Sequence, residues 1–229
     1  MPNQSFDAVI FDMDGVLCDS EPFIAAAAIE MLRRTYGISA TREDFLPFVG
    51  AGEDRFISGA AARHGVTVDL ARDKPPTYEI YLEMIRGRLE PLPGAAAFVG
   101  ALRTAGLRLA LATSSDRPKL EGNLGAIGIP ESSFDTVVSG EHVVHKKPNP
   151  EIFLLAVARL DLQPERCLVV EDARNGVLAG RAAGCAVLGI TSSQPAAVLL
   201  EAGASAIAPD FTAVPADMLE AIGLAGFDA

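Results

Sequence analysis

Residues 6–20 read Phe-Asp-Ala-Val-Ile-Phe-Asp-Met-Asp-Gly-Val-Leu-Cys-Asp-Ser, FDAVIFDMDGVLCDS. The apolar run Ala8-Val9-Ile10-Phe11 reads as a strand buried within a sheet. It breaks at Asp12, Asp14 and Gly15. Carboxylates where a buried strand ends are costly unless something pairs with them. An extended chain sends residues i and i+2 to the same side. Asp12 and Asp14 are therefore expected to face one crevice, with Gly15 allowing a sharp turn beside them. Taken alone, such a stretch is an ordinary polar loop; its partners further along the chain decide the reading.

Directly after it, Ser20-Glu21-Pro22 has the features of a helix start, with Ser20 as the cap. Phe23 to Tyr36 reads as a helix closed by Gly37. A short helix opens at Thr41, and Glu53 to His64 reads as another. Within Asp69 to Leu89, Pro75-Pro76 is expected to interrupt the helical pattern, which resumes near Thr77 with Tyr78, Tyr81 and Ile85 on one side. No strand is expected from Glu21 to Glu90.

After Glu90-Pro91-Leu92-Pro93-Gly94 the pattern changes. Strands are expected at Leu107–Ala112, Phe134–Val138, Cys167–Val170 and Ala186–Ile190, with a weaker one at Ala204–Ala208. Helices are expected between them, at Ala95–Ala105, near Lys119–Ile127, at Glu151–Leu160 and at Asn175–Ala183. This alternation predicts an α/β fold with a Rossmann-like, three-layer core around a parallel sheet. The first strand belongs to that sheet. The expected division is therefore a core of residues 1–20 and 91–229 and an inserted all-helical domain of residues 21–90.

The composition is globular: 229 residues, 49% hydrophobic and 21% charged, with a net charge of −11. No basic stripe points to nucleic acid or to an anionic membrane. No apolar run of spanning length is present and no signal pattern opens the chain. Cys18, Cys167 and Cys185 show no metal-type pairing, which fits a reducing cytoplasm. No coiled-coil pattern appears, so a monomer is the default expectation.

Ligands of such sheets bind outside the carboxyl ends of the strands. Those ends carry Asp12 and Asp14, then Thr113-Ser114-Ser115, then His145-Lys146-Lys147-Pro148, then Glu171-Asp172. Carboxylates converging on one crevice repel one another unless neutralised. An all-oxygen acidic site suits Mg²⁺. Hydroxyls beside a helix N-terminus favour phosphate. His64, His142 and His145 are read as surface or loop groups, and the Tyr78/Tyr81 face as core.

In these motifs the chain resembles the haloacid dehalogenase superfamily, in its β-phosphoglucomutase-like and phosphatase-like branch with a helical cap. Asp12-Met13-Asp14-Gly15-Val16 matches its first motif and Thr113-Ser114 the second. Lys147-Pro148-Asn149-Pro150-Glu151 matches the third, and Glu171-Asp172 with Gly176 the fourth. The resemblance implies a Mg²⁺-dependent phosphomonoester hydrolase acting on a small phosphorylated metabolite. Asp12 would be the nucleophile, forming an aspartyl-phosphate, and Asp14 the acid/base, which calls for a raised Asp14 pKa. Mg²⁺ would be held by Asp12, the Asp14 backbone carbonyl and Asp172, with Glu171 nearby. Thr113, Ser114 and Lys147 would bind phosphate. Ser20, Glu53 and Arg55 are the substrate candidates at or in the cap, and the loop Gly50-Ala51-Gly52-Glu53 is expected to reach the site.

The mutases of this branch carry a histidine four residues beyond the Ser20 position and a cap arginine three residues after a glycine. Here those positions hold Ile24 and Glu53. The phosphatase reading is therefore preferred to the mutase reading. A phospho-accepting signalling module without turnover is the alternative from another class.

Overall fold

The computed structural model describes residues 6–48 and 52–228. Strand β1 (Ala8–Phe11) is followed by helices α1 (Glu21–Tyr36), α2 (Arg42–Phe45), α3 (Glu53–Ala62) and α4 (Leu70–Ile85). Strands and helices then alternate as α5 (Ala95–Thr104), β2 (Arg108–Ala112), α6 (Arg117–Ile127), β3 (Thr136–Val138) and α7 (Glu151–Leu160). The chain continues through β4 (Cys167–Glu171), α8 (Arg174–Ala182), β5 (Ala186–Ile190), α9 (Ala196–Glu201), β6 (Ala206–Ala208) and α10 (Ala216–Ala221). The six strands form one sheet in the order β3-β2-β1-β4-β5-β6, with every pairing parallel. This is the α/β, Rossmann-like architecture expected from the alternation. The α9 and α10 helices, six residues each, follow Pro195 and Pro215 and fall outside the expected elements.

The sheet order puts β1 in the middle. Phe11 lies opposite Leu111 on one side and Val170 on the other, so Asp12 leaves the sheet level with Ala112 and Glu171. A parallel sheet delivers all its carboxyl ends to one edge, and the central strand brings its own to the crevice.

Alternate side chains of the sheet enter two cores. Val9 and Phe11 pack with Leu109, Leu111, Phe98 and Phe211, whereas Ala8 and Ile10 pack with Ala110, Phe153 and Val169. Phe11 meets Phe98 edge-on, ring centroids 6.3 Å apart. The first core continues without a break into the helical segment through Ile24, Met31, Tyr81 and Ile85.

Within residues 21–90 no strand occurs among the described residues. The expected break at Pro75-Pro76 does not occur: α4 runs through both prolines. Each proline removes a donor from the helix ladder, a cost of about 3 kcal/mol in a helix interior. The carbonyls deprived of a partner, those of Ala71 and Arg72, belong to exposed residues that water can serve. On the opposite side Thr77, Tyr78, Tyr81 and Ile85 are buried, largely against α1. Burial of those side chains at roughly 1.5–3 kcal/mol per large apolar group outweighs the lost ladder bonds. Asp69 caps the helix, accepting the Arg72 N–H at 3.4 Å. No helix among the described residues is long and apolar enough to cross a membrane.

Candidate active site

The crevice at the strand ends holds two clusters, each built around a buried lysine. In the first, Lys147 Nζ lies 2.7 Å from Asp12 Oδ1 and 2.6 Å from Glu171 Oε1. Its ammonium also sits 4.8 Å from the centre of the Phe153 ring. The other oxygen of Glu171 accepts the backbone N–H groups of Asp172 and Ala173 at 2.9 and 3.1 Å. Glu171 is therefore fully engaged, and it fixes the lysine rather than competing for it.

Carboxylate oxygens of Asp12, Glu171 and Asp172 lie within 4.8 Å of one another, all three residues being buried. Burial pushes the Asp12 carboxyl up to about 7, with Glu171 and Asp14 adding to the rise and Lys147 opposing it. Burial also drives Asp172 well above the ordinary value, reinforced by Glu171 and Asp12. A hard dication with oxygen ligands fits this set, since it would neutralise charge that one lysine leaves in excess. Gly15 and Gly176 shape the cradle. Gly15 has φ +72°, and a Cβ there would stand 1.9 Å from Asp172 Oδ2. A Cβ on Gly176 would stand 1.8 Å from Glu171 Oε1. Ser192 Oγ, at the end of β5, donates to the carbonyl of Gly15 and braces the same turn.

The second cluster surrounds Asp14, whose side chain is half-buried. Lys119 Nζ, from the first turn of α6, lies 2.5 Å from Asp14 Oδ2 and 3.0 Å from Ser115 Oγ. Ser115 Oγ donates to Asp14 Oδ2 at 2.9 Å, and Ser20 Oγ donates to Asp14 Oδ1. Burial works upward on the Asp14 carboxyl, but Lys119 and the two hydroxyls outweigh it and hold the group below the usual carboxylate range. That reverses the sequence expectation of a raised Asp14, and the reason is Lys119, which no motif marks. Ser20 is also corrected. It stands at the N-cap of α1 but makes no capping bond, because its hydroxyl is turned to Asp14.

Thr113 is buried and its Oγ1 accepts the Ser115 N–H at 3.1 Å. The Ser114 hydroxyl is buried without a partner among the described residues, which leaves it available to an oxygen ligand. Glu53 reaches the second cluster: Oε1 is 3.6 Å from Lys119 Nζ, and Oε2 accepts the Asp116 N–H at 3.1 Å. Burial raises Glu53 and Lys119 opposes the rise. Gly52 precedes it, its backbone close to Lys146; Gly50 and Ala51 lie outside the described residues. Arg55 does not join the site. It is exposed, with its guanidinium 5.9 Å from the Phe48 ring centre, on a cleft with Gly59, Arg63 and Val66. One helical turn cannot bring both Glu53 and Arg55 to the same point.

The helical segment and α6 are stitched at their seam. Tyr78 OH donates to Asp116 Oδ2 at 2.7 Å, Lys74 bridges Asp54 and Asp116, and Tyr81 OH donates to Asn123 Oδ1. Tyr78 and Tyr81 are core residues, as expected, with their hydroxyls spent on this seam. Sequence reasoning missed Ser115 as an Asp14 partner and Lys119 altogether. Ser192 stands at a strand's carboxyl end, where the rule that found the other four strand ends also reaches. His64 pairs with Asp44 at 2.8 Å, and His142 Nδ1 accepts the Ser139 N–H at 3.0 Å. Neither enters the crevice.

A parallel sheet whose carboxyl edge gathers buried acids and lysines defines the class: an α/β protein with its site at one edge of the sheet. The chain belongs to the haloacid dehalogenase-like hydrolase family, whose model matches residues 6–184. It is 38% identical over 208 residues to Protein SUPPRESSOR OF QUENCHING 1, chloroplastic, of Arabidopsis thaliana. That match covers 89% of this chain but only 19% of the plant protein. It is 33% identical to phosphoglycolate phosphatase of Salmonella typhi, with 82% of each chain covered. Among solved structures, CbbY from Rhodobacter sphaeroides in complex with phosphate superimposes with a TM-score of 0.79 at 28% identity. The superposition covers 90% of this chain and 95% of CbbY.

Proposed function

We propose that the protein is a Mg²⁺-dependent phosphomonoester hydrolase that acts on a small phosphorylated metabolite through an aspartyl-phosphate on Asp12. The observation that carries this reading is the split of the crevice into two clusters. One lysine serves Asp12 and Glu171, and a different lysine serves Asp14. Two carboxylates with different surroundings suit two different tasks.

Asp12, level with the ends of β2 and β4, attacks phosphorus and displaces the leaving oxygen. Lys147, Thr113 and the free hydroxyl of Ser114 hold the transferring group. Asp14 lends a proton to the leaving oxygen and then takes one from the attacking water. Its value, lowered by Lys119 and the two hydroxyls, suits the second of these steps. Arrival of a phosphate dianion works against Lys119 and supplies the upward shift that the first step requires. Asp12, Asp172 and the Asp14 carbonyl would hold Mg²⁺, beside Glu171, and the ion would supply charge neutralisation between nucleophile and phosphate. Residues 21–90 serve as a cap over residues 1–20 and 91–229, excluding water when the seam closes.

The direct test is release of inorganic phosphate from p-nitrophenyl phosphate and small phosphomonoesters, with and without Mg²⁺. Metal-dependent release that is lost in Asp12→Asn supports the reading. Release that survives the substitution overturns it. Ile24 and Glu53, at the positions where the mutases carry their histidine and arginine, favour hydrolysis over isomerisation.

A further inference from the structure

Glu53 opens α3 in the helical segment, yet both of its carboxylate oxygens are spent on α6 and the residue before it. Oε1 lies 3.6 Å from Lys119 Nζ, and Oε2 accepts the Asp116 N–H at 3.1 Å. A carboxylate buried to this degree, 6% exposed, depends on such partners. Phe56, Ile57, Ala60 and Ala61 of α3 are buried and apolar, so the helix presents Glu53 from a packed base.

Lys119 stands between Glu53 and Asp14. An ammonium has three protons to donate and accepts none. Three oxygens surround Lys119 Nζ: Asp14 Oδ2 at 2.5 Å, Ser115 Oγ at 3.0 Å and Glu53 Oε1 at 3.6 Å. Ser115 donates its own proton to Asp14 Oδ2, and Ser20 donates to Oδ1. The Asp14 side chain is 27% exposed against 5% for Lys119, so its orientation is set by these partners more than by packing.

We infer that Glu53 is a positioning residue: docking of the helical segment brings its carboxylate to Lys119, and the lysine so fixed aims Asp14 at the leaving oxygen. This deepens the hydrolase reading and rests on it. Without the Glu53 charge, the ammonium is drawn wholly to Asp14 and Ser115, and the Asp14 carboxyl turns with it. A catalytic group keeps its working geometry only while the residues behind it are fixed. Proton delivery matters most where the departing oxygen is strongly basic. The loss on removing the Glu53 charge therefore grows with the basicity of that oxygen.

Three aromatic esters of similar size separate the outcomes: p-nitrophenyl, phenyl and benzyl phosphate, whose leaving oxygens rise in basicity in that order. With the Mg²⁺-loaded protein, kcat/KM covers the steps up to release of the alcohol. Glu53→Gln is expected to lower it for benzyl phosphate by about tenfold or more beyond any loss for p-nitrophenyl phosphate, with phenyl phosphate between. Equal losses on all three would overturn the inference, since a substitution that only loosens the fold acts on every ester alike. Binding of the three esters to Asp12→Asn, measured by calorimetry, is expected to weaken by less than about threefold when Glu53→Gln is added. A larger loss would place Glu53 on the substrate itself and overturn the positioning role. Urea unfolding reads the geometry without turnover: Glu53→Gln and Lys119→Met are expected to shift the midpoint less together than the sum of their separate shifts. Additive shifts would overturn the inference. Failure of the parent to cleave any of the three esters would strike the hydrolase reading and the inference with it, whereas equal losses strike the inference alone.

Discussion

At the scale of single residues, Asp12 is a charge held where charge is unwelcome. Asn at this position keeps the shape and removes the nucleophile, so activity toward p-nitrophenyl phosphate is expected to fall by about a thousandfold or more. In metal-free buffer the same variant is expected to melt no lower than the parent, because a raised carboxyl such as Asp12 costs stability once ionised. A scan in EDTA checks this. Gly176→Ala is expected to do the opposite. Its methyl would drive into the Glu171 carboxylate, at a cost of about 1–3 kcal/mol in urea unfolding. Asp73 offers the pH test. Burial works upward on its carboxyl, but Arg72, the Tyr36 hydroxyl and the Asp69 N–H hold it below the ordinary value. A depressed folded pKa contributes stability above the unfolded value, near 4, and loses it as pH falls through the folded value. Asp73→Asn is therefore expected to cost about 1–3 kcal/mol at pH 7, with the deficit shrinking below about pH 4. Urea titrations at both pH values measure it.

At the scale of elements, the strands were legible because each is a short apolar run ending in chemistry. Ala186–Ile190 and Glu151–Leu160 match the expected bounds, since their flanks carry clear breaks. Where an edge strand is half-exposed the pattern thins, and the third and sixth strands start two residues later than expected, at Thr136 and Ala206. α4 was misread because proline preference is local and the burial of Tyr78, Tyr81 and Ile85 is not. Pro75 is exposed within this helix, so Pro75→Ala is expected to stabilise the protein by about 1–2 kcal/mol. The looser unfolded chain, at about 0.4–1 kcal/mol, and the water already serving the Ala71 carbonyl both subtract from the roughly 3 kcal/mol helix gain, and the effect is read from the urea midpoint at unchanged m-value. In the site, the motif acids could be found because they stand at strand ends, and Lys147 because it lies in the loop that follows β3. Lys119 could not: a lone lysine in the first turn of a helix looks like a solvated charge until the seam closes over it.

At the scale of the whole molecule, one apolar cluster joins the sheet to the helical segment. The proposed cap and core are therefore expected to unfold in a single calorimetric transition despite their separate roles. Two resolved peaks would show that the seam contributes little to stability. The central place of β1 has a consequence for how the chain is made. Its sheet partners β2 and β4 are synthesised about 100 and about 160 residues later. At ribosomal speeds of about 5–20 residues per second, Val9, Ile10 and Phe11 wait roughly 8–30 seconds for the second of them. Such a strand is a hazard for self-association in the nascent chain. Asp12 and Asp14 stand directly behind it, and charges flanking an apolar strand discourage pairing with a neighbour's copy. The same two aspartates thus guard the strand before the site they serve has been built.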